Sequence, residues 1–113
     1  MMVKVKVCGI TTPEDARFTA ESGADAIGLV FAQSPRRVGV ERAREISAAL
    51  PKSVLKVGVF VDEEPEVVLR IASEVDLYYA QLHGGETPEA VSTVRNSGLK
   101  VIKALHMRDA ASL

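Results

Sequence analysis

Four side chains of types that serve in catalysis or ligand binding, Cys8, Arg36, Asp62 and His83, follow short apolar segments. A cysteine thiolate can act as a general base when positive charge or backbone amides stabilise it. An arginine fork suits a carboxylate or a phosphate. In parallel α/β folds, functional groups collect where the strands end. If the apolar segments are parallel strands, these residues converge on one site.

Arg36 and His83 also have structural interpretations, and the sequence alone leaves a functional and a structural role open for each. Arg36 precedes a second arginine, Arg37, as is common in a solvated loop, and a lone histidine often closes a strand through a hydrogen bond. Residues 84–86 (GGE) lack the glycine spacing and the lysine of a phosphate loop, so no nucleotide site is predicted. The glutamates at 63, 64 and 66 are typical of a first helical turn.

Strand alternation leaves two interpretations of Cys8. Alternate residues point to opposite faces of a sheet, so Cys8 shares a face with Lys6 and Lys4. In the first interpretation Cys8 faces a barrel mouth above a buried Lys6, which needs a carboxylate from another strand. In the second, both lysines face solvent on an edge strand and Cys8 is a small buried hydrophobe.

Short β-branched segments alternate with segments of helical periodicity, which predicts βαβ units and a parallel sheet. We expect strands beginning near residues 3, 26, 55, 79 and 101, and helices over residues 13–22, 40–50, 64–73 and 88–96. Thr12 before Pro13 predicts a capped helix start. Gly23 and Gly98 predict helix ends. The last strand, over residues 101–104, leads into a predicted loop and helical turn.

No linker divides the chain, so residues 1–113 are predicted to form a single domain of the α/β class. Four βα units and a fifth strand amount to half of a (β/α)8 TIM barrel, which needs about 200 to 250 residues. An open flavodoxin-like parallel sheet fits the length nearly as well. Pattern alone leaves both architectures open.

Composition excludes several classes of protein. A net charge of -1 with scattered lysines and arginines argues against a nucleic-acid partner. The longest apolar segments fall short of about 18 residues, so no membrane span is expected. One cysteine cannot form an internal disulfide or a structural zinc site, so we expect no metal and a cytoplasmic location.

Five motifs occur in a fixed order: residues 4–11 (KVKVCGIT), 23–31 (GADAIGLVF), 34–38 (SPRRV), 57–62 (VGVFVD) and 81–84 (QLHG). Together they resemble the phosphoribosylanthranilate isomerase family, a TIM-barrel family of tryptophan biosynthesis. The resemblance implies that this chain is the N-terminal half of such a barrel, with four βα units plus strand five. It favours phosphoribosylanthranilate as the substrate over that of a related barrel enzyme such as indoleglycerol-phosphate synthase.

The resemblance also implies a reaction and its residues. The reaction is an Amadori rearrangement of N-(5-phosphoribosyl)anthranilate to 1-(2-carboxyphenylamino)-1-deoxyribulose 5-phosphate, without a cofactor. Cys8 takes the place of the family's general base. Arg36 takes that of the arginine that contacts the anthranilate carboxylate, and His83 that of the histidine beside the substrate. Arg37 matches no functional position.

The family's general acid, an aspartate at the end of strand six, and its phosphate loops after strands seven and eight would follow Leu113. A base without its acid loses a factor of about 10²–10⁴, so we expect the 113-residue chain alone to be inactive. The unpaired strand edges of a half barrel would need covering, by a homodimer or by a complementary C-terminal half. The alternative function is a non-catalytic half-barrel scaffold that self-associates.

Overall fold

Strands and helices alternate throughout the computed structural model, which describes residues 5–103. The strands are β1 (Lys6–Cys8), β2 (Ala26–Val30), β3 (Leu55–Phe60), β4 (Tyr79–Leu82) and β5 (Lys100–Lys103). The helices are α1 (Pro13–Glu21), α2 (Val40–Ala48), α3 (Pro65–Val75) and α4 (Pro88–Asn96). The predicted order of elements is therefore confirmed.

All neighbouring strands are parallel, and the sheet order is β1-β2-β3-β4-β5. A flavodoxin-like sheet has the order 2-1-3-4-5 because its chain reverses direction after the first unit. The flavodoxin-like alternative is wrong, because every βα unit here adds its strand on the same side, as in a barrel. Within the described residues the sheet is open, with β1 and β5 at its edges.

The two faces of the sheet differ in character. The face against the helices carries the core, in which Ile27, Leu29 and Phe60 are almost fully buried. Val7 packs partly buried against this core, as the alternation predicts. The strand register places Lys6, Cys8, Gly28, Val57 and Gln81 on the opposite face.

Local sequence signals position the helices. The hydroxyl of Thr12 accepts a hydrogen bond from the Asp15 amide, which caps α1 as predicted. Gly23 and Gly98 have φ angles of +104° and +98°, so the helices before them end in the left-handed turns that glycine favours. None of these helices is long and apolar enough to cross a membrane, α3 being the longest with 11 residues.

Some boundaries differ from the predictions. The first strand begins at Lys6, and residues 1–4 lie outside the described range. Helix α3 continues to Val75, two residues beyond the predicted end, and closes at Asp76 in the left-handed conformation. The last strand is shifted by one residue to Lys100–Lys103. The loop and helical turn predicted after it lie outside the described residues.

Lys56 is a buried charge that the sequence did not single out. Only 6% of its surface is exposed. Its position in β3 turns it toward the helices, where it lines a groove with Ala48, Val75 and Asp76 at the carboxyl ends of α2 and α3. Because helix carboxyl ends carry partial negative charge, they favour a cation there. We assign Lys56 a structural role.

Candidate active site

The structure brings the four sequence candidates to the end of the sheet at which its strands have their carboxyl ends, which we call the carboxyl edge. Cys8 is the last residue of β1, and Asp62 and His83 follow the ends of β3 and β4. Arg36 lies in the loop between β2 and α2. Because the strands are parallel, their carboxyl ends all meet at this edge.

The Cys8 thiol is exposed on the face of the sheet that points away from the helices. Its neighbour in the register is Gly28 of β2. A Cβ atom placed on Gly28 would lie 2.3 Å from the Cys8 sulfur, far inside contact distance. The missing side chain of Gly28 therefore provides the space that the thiol occupies. Within residues 5–103 Cys8 is exposed, so here it is not the buried hydrophobe of the second interpretation.

Arg36 packs against Gly9, the residue that follows Cys8. The Nη1 atom of Arg36 donates to the Gly9 carbonyl oxygen at 3.4 Å, and a Cβ on Gly9 would lie 3.2 Å from Arg36 Cδ. The guanidinium thus stays at the end of β1 although its loop follows β2. Arg37 makes a different contact, because its Nη1 donates to the side-chain oxygen of Gln33 at 2.9 Å.

Lys6 is exposed, and its partner differs from the one predicted for a buried lysine. Its Nζ atom donates to Oε1 of Gln81, a neutral amide in β4, at 2.6 Å. Of the two interpretations that alternation left open for Lys6, residues 5–103 show the exposed one, with Lys6 in the edge strand β1. Sequence reasoning missed Gln81, although the alternation of side chains along β4 places it on the same face as His83.

Asp62 and His83 sit in neighbouring loops. Asp62 has a φ angle of +52°, and its Oδ1 accepts a hydrogen bond from the Gly85 amide at 2.7 Å. Its own amide donates to Glu86 Oε2 at 2.8 Å. The His83 amide donates to the Phe60 carbonyl at 2.8 Å, while its imidazole is exposed and makes no hydrogen bond within residues 5–103.

Glu86 is a second residue that sequence reasoning missed, because the expectation for residues 84–86 concerned only nucleotide binding. A usable signal was the succession of carboxylates and glycines after two neighbouring strands. Within the described part of the chain, no three His, Cys, Asp or Glu side chains lie together as ligands for a metal ion.

These features define a class: a parallel α/β protein of the TIM-barrel type, with an exposed thiol and an arginine at the carboxyl edge of its sheet. A sequence profile described as N-(5'phosphoribosyl)anthranilate (PRA) isomerase matches residues 5–112. The chain belongs to this family of isomerases of tryptophan biosynthesis, and the predicted resemblance is confirmed.

Individual relatives agree with the family match. The chain is 68% identical over 113 residues to the N-(5'-phosphoribosyl)anthranilate isomerase of Rubrobacter xylanophilus, covering 99% of this chain and 55% of the relative. A structure of monomers generated from the dimeric Thermotoga maritima isomerase superposes with a TM-score of 0.86 at 47% identity, over 98% of this chain and 59% of that one.

A third relative is an isomerase structure in complex with reduced 1-(o-carboxyphenylamino)-1-deoxyribulose 5-phosphate. Its TM-score is 0.88 at 49% identity, over 98% of this chain and 59% of that one. The chain therefore spans about half the length of the relatives that it matches.

Proposed function

We propose that this chain provides the half of a (β/α)8 barrel that carries the general base of phosphoribosylanthranilate isomerase. The observation that carries the proposal is the exposed Cys8 thiol at the end of β1, with the Arg36 guanidinium held against the adjacent Gly9. Family membership supports the proposed reaction, an Amadori rearrangement of a phosphoribosyl amine.

In the proposed reaction the furanose ring opens first, which gives a protonated imine at the sugar C1. The Cys8 thiolate then removes the proton from C2, and the C2–H bonding electrons form a C1–C2 double bond as the imine nitrogen becomes an amine. The resulting enol tautomerises to the 2-keto product. Lys6 lies on the same face as Cys8, and the Arg36 guanidinium contacts the residue after Cys8, so both cations lie on the side of the site where the base acts.

Substrate recognition is proposed for Arg36 and His83. The guanidinium of Arg36 is exposed, so it can form a forked pair with the anthranilate carboxylate. His83 faces the same edge with an imidazole that has donor and acceptor capacity available. The ligand of the related complex carries a carboxylate and a phosphate, which supports a substrate of this kind.

The rest of the barrel is proposed to supply the general acid and the phosphate site. This follows from the family pattern and from relatives about twice as long as this chain. We therefore propose that the 113-residue chain alone is inactive and that a complementary C-terminal half covers the open edges of β1 and β5.

The open edges equally support a second candidate function, a non-catalytic scaffold that covers them by forming a homodimer. The native mass of the purified chain separates the candidates. A stable dimer of the 12.1 kDa chain that does not bind a C-terminal half would favour the scaffold.

The isomerase proposal is tested by complementation. The chain is mixed with the C-terminal part of the Rubrobacter xylanophilus isomerase that follows the matched region, and the conversion of phosphoribosylanthranilate is measured. We expect turnover in the mixture that exceeds that of either part by about 10² or more, since acid and base then act together. A stable complex without turnover would contradict the proposal. The matched control is the same complex with Cys8→Ala.

A further inference from the structure

We propose that Asp62 and Glu86 are positioning residues that set the place of the His83 imidazole at the barrel mouth. Their carboxylates join the loop after β3 to the loop after β4, and we call this arrangement the carboxylate clamp. The inference depends on the proposed function only in taking the substrate as the group that His83 contacts. The clamp itself rests on hydrogen bonds and steric contacts among residues 60–86.

Glu86 forms one half of the clamp. Its Oε2 accepts from the Asp62 amide at 2.8 Å, which reaches the loop after β3. The same carboxylate accepts from the Gly84 amide, at 3.0 Å through Oε1 and 3.2 Å through Oε2. One side chain therefore ties together two loops that are 24 residues apart in sequence.

Asp62 forms the other half in the opposite direction. Its Oδ1 accepts from the Gly85 amide at 2.7 Å. Each loop thus contributes a carboxylate that binds a backbone amide of the other loop. Hydrogen bonds to an ionised carboxylate are shorter and stronger than those between neutral groups. Such a reciprocal pair fixes the separation of the loops and their relative orientation.

Steric contacts restrict the same arrangement. Gly84 is buried, and a Cβ atom on it would lie 2.7 Å from Asp62 Oδ1 and 2.9 Å from the Asp62 nitrogen. Asp62 itself has the left-handed φ angle of +52°, which a non-glycine residue keeps only where its surroundings determine it. The two loops therefore fit closely as well as being hydrogen-bonded.

His83 lies between the strand ladder and the clamp. Its amide donates to Phe60 at the end of β3, and the next amide, that of Gly84, donates to Glu86. Its exposed imidazole makes no hydrogen bond within residues 5–103. The position of the imidazole therefore depends on the backbone at residues 83 and 84. The strand holds this backbone at residue 83, and the clamp holds it at residue 84.

The first test measures amide-hydrogen exchange by NMR and needs no enzymatic activity. In Glu86→Ala the amides of Asp62 and Gly84 should exchange about tenfold faster or more, because local opening then costs less free energy. The His83 amide should change little, because its acceptor is a strand carbonyl. Glu89→Ala is the matched control, since it removes an exposed carboxylate in the first turn of α4.

A pair of substitutions at Asp62 separates the hydrogen bond from the backbone conformation. Asn and Gly both tolerate a positive φ angle, but only Asn retains an oxygen for the Gly85 amide. Asp62→Asn should keep the slow exchange of the Gly85 amide, and Asp62→Gly should lose it. Equal exchange in the two variants would overturn the role assigned to the Asp62 carboxylate.

The second test asks whether the clamp acts through His83, in the complemented isomerase described above. Glu86→Ala should raise KM about tenfold with a smaller change in kcat, because a misplaced binding group weakens substrate positioning. Glu86→Ala should add no further increase when His83→Ala is already present. Glu86→Gln, which keeps one acceptor oxygen, should recover part of the loss.

The outcomes of the two tests are distinct. Faster exchange with an unchanged KM, or KM effects that multiply with those of His83→Ala, would overturn the positioning role. If no preparation shows isomerase turnover, the proposed function fails. The His83 side-chain signals then test the clamp: they should shift in Glu86→Ala and Asp62→Gly but not in Glu89→Ala, and unshifted signals in all three would overturn the proposal.

Discussion

The ammonium of Lys6 in β1 donates a 2.6 Å hydrogen bond to the side-chain oxygen of Gln81 in β4, across two intervening strands. Neighbouring strands lie about 4.8 Å apart, so β1 and β4 are separated by roughly 14 Å along the sheet. Side chains stand roughly perpendicular to a sheet. Lys6 and Gln81 therefore meet because the sheet is concave on this face, in the sense that closes a barrel.

The contribution of this contact to stability can be measured by a double-mutant cycle. Lys6→Met and Gln81→Leu should show a coupling energy of about 0.5–1.5 kcal/mol in urea unfolding, the usual value for one intramolecular hydrogen bond. The contact is exposed, so we expect the lower part of that range. Lys52→Met, an exposed lysine outside the sheet face, is the control. Strictly additive effects would contradict the coupling.

Replacing the proposed base should abolish turnover without disturbing the fold. Cys8→Ala in the complemented isomerase should lower kcat by about 10²–10⁴ with little change in KM, because general-base catalysis is lost while binding groups remain. Since the thiol is exposed, the melting temperature should change little. Steady-state kinetics and thermal unfolding check both statements. An unchanged rate would remove Cys8 from the mechanism.

Arg36 should act in binding. Arg36→Lys keeps the charge but loses the fork, and should raise KM about tenfold or more while kcat changes less. The same kinetic measurement on Arg37→Lys provides the control, because Arg37 contacts Gln33 and lies in the same loop. No loss with either substitution would mean that the loop recognises the substrate by charge alone, and equal losses with both would contradict a specific role for Arg36.

Gly28 should be required for the position of the thiol. Gly28→Ala places a methyl group where the Cys8 sulfur lies, so either the thiol or the strand must move. A displaced base should lower kcat by about 10², since small misplacements of reacting groups have effects of this size. The loss should exceed any change in KM.

Two other glycines serve as controls for that substitution. Gly58→Ala would meet Leu77 on the helix side of the sheet, so it should lower stability with a smaller effect on kcat. Gly39 has no atom within 4 Å of an added Cβ, so Gly39→Ala should leave kcat unchanged. A kcat for Gly28→Ala no lower than that for Gly58→Ala would contradict a specific role for Gly28.

The cap of α4 should contribute measurably to stability. The Thr87 hydroxyl accepts from the Ala90 amide at 3.1 Å. Thr87→Ala should lower the free energy of unfolding by about 1 kcal/mol, the usual cost of losing a cap. Thr93→Ala, in the exposed middle of the same helix, should be neutral or slightly stabilising because alanine has the higher helix propensity. Equal destabilisation by both would contradict capping.

The sequence by itself determined the elements, their order and the family. Residues such as Thr12 before Pro13, and the glycines after α1 and α4, act on neighbouring backbone, so their effect can be predicted locally. The placement of Cys8 and His83 at strand ends followed from the same short-range patterns. The ordered motifs identified the family because each lies at a strand or loop that the fold requires.

Only the tertiary structure decided which residues meet across strands. Gln81 as the partner of Lys6, the space that Gly28 leaves for Cys8, and Glu86 in the carboxylate clamp each join segments at least 20 residues apart. Such contacts depend on strand register and on the curvature of the sheet. Both are set by packing over the whole sheet, and no local pattern at either residue records them.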